Sequence, residues 1–416
     1  MKQFVFTILI FSLFSISVFG QEPDTSSADN LDKGIQLHTF LMNMTDVAKV
    51  TGVKKPFLLG VNGIQLTAFT KENKWWKNGM FSMYLLNTYG DNPTTDYVGD
   101  YQMFDNAESF PDTNNHIHLG NGQLNYRTFI YSLYYQHFFK KARLLVGQYD
   151  LNFDFAFSNF GLNFLNSSFG LQPTIAYNVP SFSTFPFTNL TARFEYNFDS
   201  GVSWRAAVAQ GVGGNHLTNP HSLEYVETLK EGGLFMISEL SKNKFNGSNF
   251  LSEFKLGVWG HTGSKSMHFN NYTSKTDSTT NHFNFGAYLI ADKLIYAEKS
   301  DSTQGLFGFI DLGYAPGDYN IFNFYAGGGL SYVGLLPKRD QDILSIGLAT
   351  PFFSKGIVKV DRYTSTEKAI EFNYNFVTKY INFQPAVQYL GNIAGNSTNE
   401  KFVFMVRIVS HKGVFY

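Results

Sequence analysis

Beyond residue 20 the chain has no long apolar run, and is built instead from short segments in which apolar and polar side chains alternate. Glu371-Phe372-Asn373-Tyr374-Asn375-Phe376 shows the pattern most clearly. Successive side chains of a strand point to opposite faces, so Phe372, Tyr374 and Phe376 share one face and Glu371, Asn373 and Asn375 the other. Thr191 to Phe198 repeats it, with Ala192, Phe194, Tyr196 and Phe198 opposite Thr191, Arg193, Glu195 and Asn197. One face suits lipid and the other water, which is how an all-β transmembrane antiparallel barrel with a wet interior reads. A soluble β-sandwich or β-helix would carry Lys, Thr and Glu on its outer faces rather than Phe and Tyr.

The same pattern predicts sixteen up-and-down strands, near 59–70, 79–89, 97–104, 127–139, 142–150, 190–198, 202–210 and 232–240, then 250–261, 282–292, 304–313, 323–333, 343–350, 368–377, 381–390 and 400–409. Residues 37–50 read as a short helix ahead of them. Lys140-Lys141, Asp199-Ser200-Gly201 and Thr378-Lys379-Tyr380 are tight turns, whereas 105–126, 211–231, 262–281 and 351–367 are long and rich in Gly, Asn, Ser, Thr and Pro. Counted from the C-terminus, the tight turns fall at one end, taken as periplasmic, and the long loops at the other, taken as extracellular. An even strand number follows, with both termini periplasmic. Leu171 to Val179 could pass for a strand, but counting it would break that parity. Residues 151–189 are therefore read as one long connection, whose Phe-rich stretch Asn163 to Gly170 must find cover. The nearest cover is the barrel interior, which makes Asn163, Asn166 and Phe169 candidates for an inward-folded constriction loop.

Composition adds the address. Lys2 followed by the apolar Phe4 to Phe19 and a small residue at Gly20 reads as a secretory leader covering residues 1–20. At about 16 residues this run is short of the ~20 that a spanning helix needs. Residues 21–56 are expected to form an N-terminal periplasmic extension and 57–416 the barrel. Loss of Lys2 takes the formal charge from −1 to about −2, which argues against a nucleic-acid partner. The chain has no cysteine, excluding disulfides, thiolate metal sites and cysteine nucleophiles, while 44 Phe and 24 Tyr suit a lipid-facing band flanked by aromatic girdles.

Five short motifs, in order, carry a family resemblance. They are Val146-Gly147-Gln148-Tyr149-Asp150; Phe164-Leu165-Asn166-Ser167-Ser168-Phe169-Gly170 with Pro173; Gly313-Tyr314-Ala315-Pro316-Gly317-Asp318; Gly328-Gly329-Leu330-Ser331-Tyr332-Val333-Gly334-Leu335 with Arg339 and Asp342; and Phe383-Gln384-Pro385-Ala386-Val387-Gln388-Tyr389. Together they resemble the carbohydrate-selective porin family (OprB-like) of Gram-negative outer membranes over roughly residues 60–416. The resemblance implies a sixteen-stranded outer-membrane barrel that admits mono- or oligosaccharides. Its implied partners are sugars, outer-membrane lipid and lipopolysaccharide, and the barrel-assembly machinery, and it is compatible with a homo-oligomer. The chain departs from the family at Ser132 and Gln136, where acids are expected, and ends in Phe415-Tyr416 rather than a terminal Phe.

Sugars are neutral and hydroxyl-rich with apolar C–H faces, so a selective channel offers charged and amide groups beside aromatic platforms. It must also hold its solute weakly. Alternation assigns Arg193, Glu195, Arg205, Glu253, Lys255, Trp259, His261, Glu371 and Asn373 to the lumen, because a Lys or Arg in mid-membrane lipid costs about 2–4 kcal/mol. Each could equally be part of an ion pair that braces the wall. A general or anion-type porin is the alternative on the same fold, and a barrel adhesin or rim hydrolase a third reading. No spacing singles out a catalytic triad, so no enzyme is expected. His116-Ile117-His118 reads as a solvated loop rather than a metal site, and Gly327-Gly328-Gly329 sits inside a strand, not in a phosphate cradle. No cofactor or metal is expected.

Overall fold

The computed structural model describes residues 35–416 apart from 71–75, 110–115, 120–121, 180–181, 213–231, 248, 266–280, 300, 302, 319, 362–363 and 416. The expected leader, the polar stretch after it and parts of the long connections lie outside the described residues. The strands are β1 (Ile35–Val50), β2 (Phe57–Thr70), β3 (Gly79–Gly90), β4 (His116–Leu119), β5 (Gly122–Phe138), β6 (Ala142–Tyr149), β7 (Asn189–Asn197), β8 (Val202–Gln210) and β9 (Leu234–Asn246). They continue as β10 (Asn249–Lys265), β11 (Asn281–Ala297), β12 (Gly305–Tyr314), β13 (Phe322–Val333), β14 (Ile343–Phe353), β15 (Lys368–Asn375), β16 (Ile381–Gly391) and β17 (Lys401–Phe415).

All pairings are antiparallel, and β4 pairs only with the extension of β5. The remaining sixteen strands form a ring that β1 closes by bonding to β2 on one side and β17 on the other. A closed ring leaves no strand edge in lipid, where an unpaired backbone group finds no water. Alternation of burial follows the pattern of the sequence. In β15, Ile370 and Phe372 are about half exposed on the outside while Glu371 and Asn373 are buried inside. Leu256 and Val258 of β10, Ile310 of β12, Ile346 of β14 and Phe404 of β17 continue the outer apolar surface. Tight turns join β5 to β6, β7 to β8, β9 to β10 and β15 to β16 at one end, with Gly201 in the left-handed region at φ 75°. The long connections lie at the other end.

Three expectations are corrected. Residues 37–50 form strand β1 of the wall, so neither the short helix nor a separate extension to residue 56 is present. Leu37, Phe40, Leu41, Met44, Val47 and Ala48 recur at helical spacing, and the period of two is hidden because both faces of β1 mix apolar and polar residues. Its inner Met42, Met44, Ala48 and Val50 pack in one buried cluster with Val98, Phe104 and Ala107. Those last residues belong to the second correction. The segment 97–104 is not a strand; a single π-helical turn, Thr94–Val98, is followed by irregular chain folded into the barrel. One strand missed and one miscounted leave the total at sixteen, but β2 and β3 run opposite to their expected directions. Third, His116–Leu119 is a strand of a β4–β5 hairpin rather than a loop. Leu171 to Val179, as parity requires, is no strand: it holds the short helix Pro173–Ala176.

The facing of β15 gives a direct check. Phe372→Arg would put a guanidinium into lipid at a cost of about 2–4 kcal/mol near the midplane. The fraction of protein that runs as a heat-modifiable folded barrel on semi-native gels should fall, whereas Asn373→Ser should leave it at the wild-type level. Equal losses in both would place the register off by one.

Candidate channel constriction

The connection from Asp150 to Thr188 leaves the wall between β6 and β7 and crosses the interior to reach β9 through β16. Local chemistry keeps it from continuing as strand. Asp150 accepts the Asn152 N–H at 2.7 Å, Ser158 Oγ accepts the N–H groups of Phe160 and Gly161 at 3.2 and 2.9 Å, and Asn166 Oδ1 accepts Ser168 N–H at 3.1 Å. Such side-chain acceptors substitute for the ladder and set the short 3-10 turns Leu151–Phe153, Gly161–Asn163 and Ser167–Phe169.

Backbone groups carried into the interior must still be satisfied, and carboxylates on the wall do much of this. Glu371 on β15 accepts Leu165 N–H and Asn166 N–H, each at 2.9 Å. Asp292 on β11 accepts Ser158 Oγ–H at 2.5 Å and the N–H groups of Asn159 and Phe160 at 3.2 and 3.3 Å. Glu239 on β9 accepts Ala156 N–H at 3.2 Å and Tyr288 O–H at 2.8 Å, and Asp311 on β12 accepts Gln172 Nε2 at 3.0 Å. Glu253 takes the amide of Asn159 at 2.6 Å, and Lys255 donates to Phe157 O at 2.8 Å with its ammonium over the Phe157 ring at 3.7 Å. Asn373 and Gln384 both donate to Asn163 O, at 3.1 and 2.8 Å.

Apolar packing completes the seat. Phe164 stacks on Phe169 at 4.3 Å between centroids, and Phe160 on Phe307 at 4.5 Å. Glycines on the inner wall make room for them: a Cβ on Gly347 would lie 2.8 Å from both the Phe164 and Phe169 rings. The chain after β3 braces the insert from the other side, since Asn106 N–H donates to Leu165 O at 2.8 Å and Ser167 N–H to Met103 O at 3.0 Å. Asp105 in that segment meets Arg407 of β17 at 3.1 Å, and Arg407 pairs with Asp46 of β1 at 2.7 Å. Deeper in the loops, burial and the neighbouring Glu367 push Asp100 up to about 8, and burial pushes Glu108 and Glu367 up to about 7.

The residues expected in the lumen all have inward positions on their strands, but they do not form one site. Arg193, Glu195 and Arg205 are brought together on β7 and β8, where Glu195 meets Arg143 at 2.8 Å, Arg205 at 3.6 Å and Arg193 in close contact. Arg193 also meets Asp154 at 2.8 Å, and Arg205 meets Glu239 at 3.2 Å. Glu253, Lys255, Glu371 and Asn373 hold the insert. Trp259 is buried against Phe235, and His261 donates through Nε2 to Gly211 O at 2.7 Å. Asn163, Asn166 and Phe169 are inside the barrel; the Phe169 ring has no exposed surface, so it packs the insert against the wall instead of facing a passing solute. Sequence reasoning missed Arg143, Asp154 and Glu239, the partners of this cluster. Arg143 and Glu239 were detectable from the inward parity of β6 and β9, whereas Asp154 lies on the insert and follows no period. In this cluster the side chains of Arg143, Arg205 and Asp154 keep 15–17% of their surface, against at most 2% for Arg193, Glu195 and Glu239. The accessible part of the cluster is therefore carried by Arg143, Arg205 and Asp154. Among the described residues no group of three or more His, Asp or Glu could hold a metal ion.

A family model described as carbohydrate-selective porin, OprB family, matches residues 70–410. The chain belongs to the carbohydrate-selective porin family. It is an outer-membrane sugar porin of a Gram-negative bacterium, and its family and fold are those of channel proteins. The high-pH structure of OprB from Pseudomonas putida superposes with a TM-score of 0.73 at 18% identity, covering 92% of this porin and 96% of that chain. The low-pH structure of the same protein gives 0.53 at 14% identity over 93% and 96%. A search of curated protein sequences gave no match.

Gly347→Val tests the seat of the insert, because a branched side chain there would displace the Phe164 and Phe169 rings. The porin should still fold to a heat-modifiable barrel and should show a larger single-channel conductance in planar bilayers. An unchanged conductance would mean that the insert does not narrow the path.

Proposed function

We propose that the porin passes mono- and oligosaccharides by passive, weakly selective diffusion, along the accessible side of the insert where Arg143, Arg205 and Asp154 meet, with the tight-turn end in the periplasm. The observation that carries this reading is the charge balance of the cluster. Three guanidiniums, from Arg143, Arg193 and Arg205, interlock with three carboxylates, from Asp154, Glu195 and Glu239. A path for anions gains from unbalanced positive charge, since like potentials focus counter-ions in a narrow cleft. A path for neutral, hydroxyl-rich solutes gains from donors and acceptors side by side, and loses nothing by having no net field. Contacts of this kind at a partly hydrated surface are weak, which suits release.

On this reading Glu253, Lys255, Trp259, His261, Glu371 and Asn373 shape the channel by holding its walls, and Asn163, Asn166 and Phe169 by forming the insert. The apolar exterior would face membrane lipid, with lipopolysaccharide in the outer leaflet, and the aromatic C-terminus would be read by the barrel-assembly machinery. No catalytic turnover is part of this function.

In planar bilayers the porin should show a cation-to-anion permeability ratio near unity and a current partly blocked by millimolar maltooligosaccharides. Arg143→Gln and Arg205→Gln should each shift the ratio severalfold toward cations and weaken the block. Strong anion selectivity without sugar block would overturn the reading in favour of a general anion pore.

A further inference from the structure

We propose that Asp100, Glu108 and Glu367 form a proton-operated latch at the long-loop end of the barrel, which holds residues 94–108 folded into the interior and releases them as the medium turns alkaline. The segment matters because it braces the insert. Asn106 N–H donates to Leu165 O at 2.8 Å, Ser167 N–H to Met103 O at 3.0 Å, and Ser168 Oγ–H to Gln102 Oε1 at 3.0 Å. Two of the acids anchor the segment in turn. Glu367, the residue before β15, accepts Tyr101 N–H at 3.3 Å and Gln102 N–H at 3.1 Å, and also Ala394 N–H at 2.7 Å from the connection after β16. Glu108 folds back on the head of the segment and accepts Thr94 N–H at 3.0 Å and Thr95 N–H at 3.4 Å. Asp100 lies close enough to feel the charge of both, and all three residues are at most 3% exposed.

No cation answers these acids: among the described residues none of the three makes an ion pair. Lys55, on the turn before β2, is paired with Asp91 at 2.8 Å, and Arg407 is shared by Asp46 and Asp105. Lys355 and Lys368, on the connection after β14 and at the head of β15, pair with none of them. The other titratable groups facing the cluster are the phenols of Tyr101 and of Tyr177 on the insert, whose rings meet edge-on at 5.4 Å. Three carboxylates buried together without a counter-charge cannot all stay ionised. A protonated carboxyl still accepts N–H groups through its carbonyl oxygen and adds an O–H that a neighbouring carboxylate can accept, so protons tie the cluster together. In a hydrated loop the same acids would return to the ordinary carboxylate range, so the folded-in state binds more protons than the released one. Its advantage is therefore complete in acid and is lost as the pH rises through about 7 to about 8, where burial has moved these groups.

Single-channel conductance in planar bilayers, followed from about pH 6 to about pH 9, should be lowest in acid and rise as the acids ionise. Asp100→Asn keeps the shape of the side chain but cannot ionise, so its conductance should stay near the acid value throughout, and Glu367→Gln should flatten the profile in the same direction. The chain has no cysteine, so Ser109→Cys places a single, nearly isosteric reporter at a buried position beside Glu108. At about pH 9 its labelling by a maleimide in the folded porin should be severalfold faster than in the Asp100→Asn background, and at about pH 6 the two should label alike. Heat-modifiable mobility at both pH values checks that each barrel is intact. The same conductance profile with and without Asp100→Asn, or equal labelling in the two backgrounds at the higher pH, would overturn the proposal. So would a conductance rise that calcium ions abolish, which would make a bound cation, rather than protons, the counter-charge of the cluster.

Discussion

A ring of sixteen strands encloses more space than its own inward side chains can fill, and chain folded into that space brings backbone N–H groups that need acceptors. This constraint organises the porin. The insert between β6 and β7 follows a path on which wall carboxylates stand ready: Glu239, Asp292, Asp311 and Glu371, on four different strands, each take a donor from it. Each of these hydrogen bonds is buried and shielded from competing water. Removing such an acceptor would leave a buried N–H unsatisfied at a cost of about 1–3 kcal/mol. The inner acids are thus placed for the insert first, while Arg143, Arg205 and Asp154 keep part of their side-chain surface.

The same constraint links the insert to barrel closure. Asp105, on the chain that braces the insert, shares Arg407 with Asp46 across the seam between β17 and β1. A buried guanidinium between two carboxylates is costly to disrupt from either side, because the remaining charge is left unpaired. The β1–β17 pairing that closes the ring and the position of the inserted chain are therefore held by one group. Gly347, at the seat of the Phe164 and Phe169 rings, shows the reverse accommodation, in which the wall gives up a side chain so that the insert can approach it.

Much of this was legible in the sequence where one face of a strand meets lipid and the other a polar interior. β15 and β7 have that character, and parity of the turns was enough to keep Leu171 to Val179 out of the wall. Legibility failed where the inserted chain is apolar. The inner face of β1 carries Met42, Met44, Ala48 and Val50 beside the buried Asp46, and these apolar residues pack in one cluster with Val98, Phe104 and Ala107, so a helical spacing masks the alternation. Those same three residues lie within or beside the segment mistaken for a strand. The inward charges were assigned to the right face by alternation, but their partners could not be read, since Asp154, Ser158 and Leu165 sit on irregular chain whose path no period encodes.

The position of the insert can be tested with a disulfide inside the barrel. Asn163 Nδ2 lies 3.3 Å from Ser331 Oγ on β13, across the interior from the strands where the insert begins. In the double variant Asn163→Cys, Ser331→Cys, oxidation of the folded porin should close an intramolecular bond in most molecules, detected by mass after thiol labelling, and leave single-channel conductance close to that of the reduced form. Failure of the two thiols to join in a well-folded barrel would contradict the account, as would a bond that forms but sharply lowers the conductance.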